Sequence, residues 1–292
     1  MHFTGQVWRP PFEAQNAILQ ITSGCMHHKC KFCSLYDGTA FRMSPMSEIE
    51  KDLEELRDFH LLTNRIFLTG ANPLGLSYNK LVTIGEKIKA YLPHAESIGG
   101  FARITDVKSK TQEELCKLRL IGFNGISIGT ETGDDRTLAY MNKGYTAADI
   151  VEQLHKLDNA GIEYHITYMN GLAGNGNCER HALESGKIFN QAKPLSINIV
   201  GLTIFPQSAL HKEVLSGIYT PASEVEKLYE LKTFIRNLNI HTVINANTVS
   251  NTAPFVAELP HDKEGVLEAL QGIVDRFDET CLSNYRNSIA SL

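Results

Sequence analysis

Cys25, Cys30 and Cys33 stand within nine residues of one another in the stretch Ile21-Thr-Ser-Gly24-Cys25-Met-His27-His28-Lys-Cys30-Lys-Phe32-Cys33. The other three cysteines, Cys116, Cys178 and Cys281, lie far apart. A disulfide framework spreads paired cysteines through a small secreted fold, whereas a tight trio in a long chain reads as metal binding. Three thiolates on one loop can ligate three irons of a 4Fe-4S cubane and leave the fourth open to a small chelating ligand. Cysteine-held clusters reach the low potentials that demanding one-electron reductions need. The alternative is a zinc knuckle completed by His27 or His28, although such knuckles bring a second ligand pair nearby. Cys116 falls inside a helical pattern and Cys281 has no ligand-like companion, so both read as structural. Cys178 reads as structural too, but it opens a helix, where a thiolate is favoured.

The trio directly follows an apolar run, one of a series that must position it. Short β-like runs occur at Ala17–Thr22, Arg65–Thr69, Ser97–Ala102, Gly125–Gly129, Tyr164–Met169 and Ile197–Ile204. Each is rich in β-branched or aromatic residues and closes on Gly, Thr or Asn. Between them, apolar residues recur at three- and four-residue spacing over Ser47–Phe59, Tyr78–Tyr91, Thr111–Ile121, Thr146–Ala160 and Asn177–Ala192. Ser47 with Glu50 and Thr111 with Glu114 are spaced as capping boxes, and Gly122 and Gly161 stand where helix C-caps belong. Six βα repeats imply a mainly parallel sheet, which right-handed crossovers curl into a partial (βα)6, TIM-like barrel of the α/β class. In such folds chemistry sits in the loops after the strands.

After Pro206 the pattern changes to a helix at Pro221–Asn237, an apolar segment at His241–Ile244, an irregular stretch at Asn247–Pro260 and a last helix at Lys263–Phe277. The organisation expected is an N-terminal arm (1–16), a core (17–206) and a helical and irregular C-terminal extension (207–292) packed on the same domain. A length of 292 residues suits one large domain or two small ones. A formal net charge of −5 without a basic tract argues against nucleic acid as the main partner. No signal-peptide pattern and no apolar run of roughly 20 residues occurs, so the expected location is the cytoplasm, away from membranes. Gly171-Leu-Ala-Gly174-Asn-Gly176 is not a phosphate loop, because the Lys-Ser/Thr that grips phosphate and magnesium is missing.

Several segments together resemble the radical S-adenosylmethionine superfamily, nearest to the oxygen-independent coproporphyrinogen oxidase-like and methylthiotransferase-like cores. They are the cysteine loop, Thr69-Gly70-Ala71-Asn72-Pro73, Gly125-Ile-Ser-Ile-Gly129-Thr-Glu131-Thr-Gly133 with Met141-Asn-Lys143-Gly144, and Asn170-Gly171-Leu172-Ala173-Gly174. The resemblance spans Ala17 to Pro206. The family's commonest motif has three residues between the first two cysteines, where this chain has four. Asn72 replaces a Glu and Ala173 a Pro of the family pattern.

The resemblance implies a 4Fe-4S cluster on Cys25, Cys30 and Cys33 and reductive cleavage of S-adenosylmethionine to a 5′-deoxyadenosyl radical, which takes hydrogen from a small-molecule substrate. An electron donor such as flavodoxin or ferredoxin is implied as partner. Phe32 is then placed against adenine, with loop packing as its alternative. The Gly70 and Ala71 backbone would meet the methionine amine. Glu131 would meet ribose hydroxyls or the ammonium, or else cap its turn. Arg103 would meet the carboxylate, or else pair with Asp106 or Glu131, and Asn170 and the Leu172 backbone would meet adenine or ribose. His165, Thr167 and Tyr168 alternate along one strand, so some must point into the barrel, and a lone strand histidine is more often a hydrogen-bonded core residue than a catalyst. A zinc-binding interaction protein, or an iron–sulfur sensor or carrier that never cleaves S-adenosylmethionine, are the competing functions.

Overall fold

The computed structural model describes residues 1–288; the last four residues of the expected extension, 289–292, lie outside the described residues. The fold class is α/β, with a mostly parallel sheet of eight strands. Two compact units make up the chain. The first comprises Met1–His28, Leu35–Gly129 and Gln153–Tyr164, and the second Lys29–Ser34, Thr130–Glu152 and the chain from His165 onward.

In the first unit the elements run β1 (Ala17–Gln20), β2 (Thr22–Ser23), β3 (Arg42–Met43), α1 (Met46–His60), β4 (Arg65–Thr69), α2 (Tyr78–Tyr91), β5 (Ser97–Ala102), α3 (Ile104–Lys108) and α4 (Gln112–Ile121), with most of β6 (Ile126–Glu131). β1, β4, β5 and β6 pair in parallel in that order, with Leu19 opposite Leu68 and Phe101 opposite Ser127. Leu19, Ile66, Leu68 and Ile98 pack against Ile49, Leu53 and Leu56 of α1 and Leu81, Ile84 and Ile88 of α2, all nearly or fully buried. The three- and four-residue spacing of the helix residues aligns them as one stripe facing the sheet.

The second unit takes up α5 (Asp135–Tyr140), the first turns of α6 (Ala147–Ala160), nearly all of β7 (Tyr164–Asn170), α7 (Cys178–Phe189), β8 (Ser196–Gly201), α8 (Ala209–Leu215), α9 (Glu224–Asn237), β9 (Thr242–Asn245), β10 (Val256–Leu259), α10 (Lys263–Arg276) and α11 (Glu279–Asn287). β7, β8 and β9 are parallel, and β10 joins β9 antiparallel. Along β7, Ile166, Tyr168 and Asn170 are buried while His165, Thr167 and Met169 are half-buried, the period-two signature of a strand with two distinct faces. On the buried face Tyr168 stacks on Phe234 of α9 at 4.0 Å between centroids and meets Phe189 of α7 edge-on.

β4, β5 and α2 occupy the residues expected for them, and β6 runs two residues past its expected end, to Glu131. The first run is interrupted at Ile21, giving β1 and the short β2, which pairs with β3. The Ser47–Glu50 box does not form. Pro45, extended at φ −55° and ψ 139°, starts α1 one residue early without a side-chain cap and leaves Ser47 inside the helix. The irregular stretch after Asn247 contains β10, too short for its alternation to register. The Thr111–Glu114 box does form: Glu114 N–H donates to Thr111 Oγ1 at 3.2 Å and Thr111 N–H to Glu114 Oε2 at 2.9 Å. Gly122 closes the same helix in the left-handed region, at φ +118°. Thr111→Ala should destabilise the protein by about 1 kcal/mol, read as a lower urea midpoint with an unchanged slope.

Candidate functional site

In the first unit the site begins where β4 ends. Gly70 sits at φ +116°, and a Cβ there would lie 2.2 Å from Thr22 Oγ1 and 2.7 Å from Thr22 O, so only glycine lets the two segments approach. Ala71 N–H then donates to Gly24 O at 3.3 Å. Buried Asn72 accepts Met26 N–H on Oδ1 at 3.1 Å and offers Nδ2 to both Asp106 oxygens at 3.3 Å. Gly24 is itself at φ +65°, with Thr39 O 2.5 Å from where a Cβ would fall. Cys25 is thus bracketed by two residues whose backbones are held from outside the loop. Arg103 follows β5 and caps α3; its N–H donates to Asp106 Oδ2 at 2.8 Å and its Nη1 to Thr105 Oγ1 at 3.0 Å.

Burial pushes the Asp106 carboxyl up, against the Arg103 N–H, Lys110 and Asn72, which favour its charged form. Nearby Lys110, whose Nζ donates to Leu74 O at 2.6 Å and Asp106 O at 3.0 Å, is pushed down to about 8 by burial.

In the second unit, Lys31 N–H donates to Met141 O at 3.1 Å and Leu210 N–H to Lys31 O at 2.8 Å, which fixes the backbone between Cys30 and Cys33. Phe32 is buried in a cluster with Met141, Leu172, Leu202, Leu210 and Tyr219, against which Cys30 and Cys33 pack. The Lys143 ammonium lies 5.7 Å from the centre of the Phe32 ring and 3.4 Å from Glu131 Oε1. Glu131 ends β6 at φ +67°, and its Oε2 is buried without a hydrogen-bond partner. Burial pulls the Lys143 ammonium down, but the Tyr145 hydroxyl, the Glu131 carboxylate and the Cys30 sulfur outweigh it and raise it above its ordinary value.

The remaining expected residues are placed as follows. Leu172 has its side chain in the Phe32 cluster, its N–H on Met169 O at 3.3 Å and its carbonyl accepting Tyr219 OH at 3.2 Å. Asn170 shares the buried face of Tyr168; it lines a small cavity with Glu224, Lys227 and Ser250, and its Oδ1 has no partner. His165 is held by Ser196 Oγ at 2.7 Å, as a core strand histidine would be. The half-buried face of β7 therefore carries His165, Thr167 and Met169, with Tyr168 on the other side.

None of the six cysteines is in a disulfide. At Cys178 burial, reinforced by the Glu230 carboxylate, pushes the thiol up, which agrees with its structural reading and not with the minor reactive one. Among the described residues no three His, Cys, Asp or Glu side chains are gathered closely enough to hold one metal ion.

The Radical SAM superfamily profile matches residues 19–185, more than half of the sequence. The chain belongs to the radical S-adenosylmethionine superfamily. Solved radical S-adenosylmethionine proteins share its fold. The methyltransferase TsrM from Kitasatospora setae, solved with cobalamin and a [4Fe-4S] cluster, is 17% identical at a TM-score of 0.57, over 69% of this chain and 37% of that one. Methylornithine synthase PylB is 17% identical at 0.54, over 77% and 63%. HemN, the coproporphyrinogen III oxidase of Escherichia coli, is 13% identical at 0.51, over 89% and 52%. The chain thus spans between 37% and 63% of the length of these three structures. No curated protein matches.

Asn72 and Lys143 take part in these contacts without a role in the sequence reading, where Asp106 entered only as an alternative partner of Arg103. Lys143 carried a signal as part of the Lys-Gly pair after β6, and Asn72 as part of the motif after β4. Lys110 makes the network around Asp106 measurable. Between about pH 8 and 10.5 the unfolded chain keeps a proton that folded Lys110 has released. Stability should therefore rise with pH across that window, by on the order of 3 kcal/mol at most. Subtracting the Lys110→Met urea-unfolding profile from that of the wild type should isolate this rise; coincident pH slopes in the two would contradict it.

Proposed function

We propose that this chain reductively cleaves S-adenosylmethionine at a 4Fe-4S cluster held by Cys25, Cys30 and Cys33 and directs the resulting radical at a small-molecule substrate. The observation that carries the reading is the Glu131–Lys143 pair beside Phe32. It sets an unpartnered buried carboxylate oxygen and a buried ammonium at the segment bearing two of the cysteines, in a chain of this superfamily. The donor set fits the cluster: three half-buried thiols outside any disulfide share one loop, and the turn at Gly24 leaves no room for a side chain. A cluster bound by these three thiols would supply the one electron that the cleavage needs.

The chain's own groups then bind, orient and exclude water. Phe32 offers an apolar ring for adenine. Glu131 Oε2 accepts hydrogen bonds from ribose hydroxyls or the methionine ammonium, the kind of partner a buried oxygen without one requires. Carbonyls of the Gly70–Ala71 turn are further acceptors for that ammonium. Lys143 and Arg103 are the cations for the methionine carboxylate, as charge-assisted donors. Asn170 and Leu172 complete the adenine or ribose side. A dry, apolar surround limits side reactions of a carbon radical. The electron donor is a small redox protein such as flavodoxin or ferredoxin, and the enzyme works in the cytoplasm. Among the described residues no helix is long and apolar enough to cross a membrane.

Anaerobically reconstituted protein, reduced with dithionite in the presence of S-adenosylmethionine, should release 5′-deoxyadenosine. A fully clustered protein that releases none would be a sensor or carrier, and zinc without labile sulfide would mark a zinc protein. Cys30→Ala should lose both cluster and cleavage; cleavage retained would overturn the ligand assignment. Glu131→Gln should keep the cluster while raising the KM for S-adenosylmethionine about tenfold, equivalent to roughly 1.4 kcal/mol.

A further inference from the structure

We infer that Glu230 of α9 is a positioning residue for the proposed cofactor site, setting the turn Gly171–Gly174 and through it the seat of Phe32. The inference rests on the cofactor reading above for its consequence, though not for its geometry. Glu230 is fully buried, and a single oxygen, Oε1, meets three groups. Tyr168 OH donates to it at 2.8 Å, Gly171 N–H donates at 2.9 Å, and His181 Nδ1 lies at 2.9 Å. These groups belong to β7, to the turn after it and to α7, so one carboxylate ties three consecutive segments to α9. Donors replace hydration at Oε1 alone, Oε2 being buried without a hydrogen-bond partner, and bonds to a charged acceptor are the stronger kind.

The turn so held has little freedom left. Gly171 is at φ +81°, with the Lys227 side chain 2.8 Å from where a Cβ would fall. The next residue, Leu172, is buried in the cluster with Phe32, and Tyr219 OH reaches both the Gly171 and the Leu172 carbonyls at 3.2 Å. One helical turn before Glu230, Glu226 accepts Gly176 N–H at 2.8 Å and Asn175 Nδ2 at 2.9 Å. Two glutamates at i and i+4 repel and ordinarily weaken a helix. Here the pair grips both ends of the loop after β7. The position of Leu172 beneath Phe32 is therefore dictated from α9, some 60 residues along the chain from that loop.

The test is Glu230→Gln, which keeps the shape and removes the charge. In 15N-labelled protein the Gly171 amide should shift upfield and exchange with solvent at least tenfold faster. The Gly176 amide, held by Glu226, should change less than threefold, and Glu226→Gln should show the reverse pattern. With the cluster content equal to wild type, the KM for S-adenosylmethionine should rise about tenfold and kcat change less than threefold, and Glu230→Leu should exaggerate both. An unaltered Gly171 amide, an unchanged KM, or a Glu230→Gln protein that fails to fold would each overturn the positioning role. Wild-type protein that forms no 5′-deoxyadenosine would instead remove the cofactor reading and leave the Gly171 result to stand alone.

Discussion

An ammonium almost wholly withdrawn from water has to be met by negative charge and by polarisable surface, and Lys143 is such a group, its side chain only 4% exposed. Glu131 supplies the charge from a backbone conformation at φ +67° that costs a non-glycine residue on the order of 1–3 kcal/mol. Phe32 and Tyr145 supply ring faces at 5.7 and 5.4 Å. Removing one partner of a buried pair typically costs about 3–5 kcal/mol, because the other charge is left stranded. The C-terminal end of β6, the turn carrying Lys143 and the segment between Cys30 and Cys33 consequently hold one another in place. The same arrangement spends only one oxygen of Glu131, so the interaction that stabilises the second unit also readies a polar atom for a ligand.

The first unit holds its cysteine by other means. Close backbone approach does the work there, at Gly70 against Thr22 and at Gly24 against the Thr39–Ala40 segment. Asn72 locks the result by accepting from Met26 and donating to Asp106. A neutral amide suits this place, because it can serve as acceptor and donor together. A glutamate, as in the family pattern, would set a second carboxylate against Asp106, whose own carboxyl is already pushed up by burial.

The strands at Arg65–Thr69 and Ser97–Ala102 were legible because a short β-branched or aromatic run between polar turns has few other readings. The Thr111 box was legible because its three-residue spacing places both partners on one helical turn. What escaped depends on distance along the chain. Asn72 meets partners 46 and 34 residues away, and the three groups at Glu230 Oε1 lie 49 to 62 residues from it. No local pattern marks such contacts. Short helices such as α3, α5 and α8 fell below the length at which apolar periodicity can be recognised. Alternation along β7 revealed that Tyr168 and His165 face opposite ways, but which face packs against α7 and α9 is decided by residues beyond position 178.

Electron–nuclear double resonance on the dithionite-reduced, clustered protein tests most directly whether a three-cysteine cluster keeps one iron for S-adenosylmethionine. The expected result is a hyperfine coupling from the amino nitrogen and carboxylate oxygen of 15N- and 17O-labelled S-adenosylmethionine. A fully loaded cluster that shows no coupling to the labelled cofactor, and instead carries a fourth protein ligand, would contradict it.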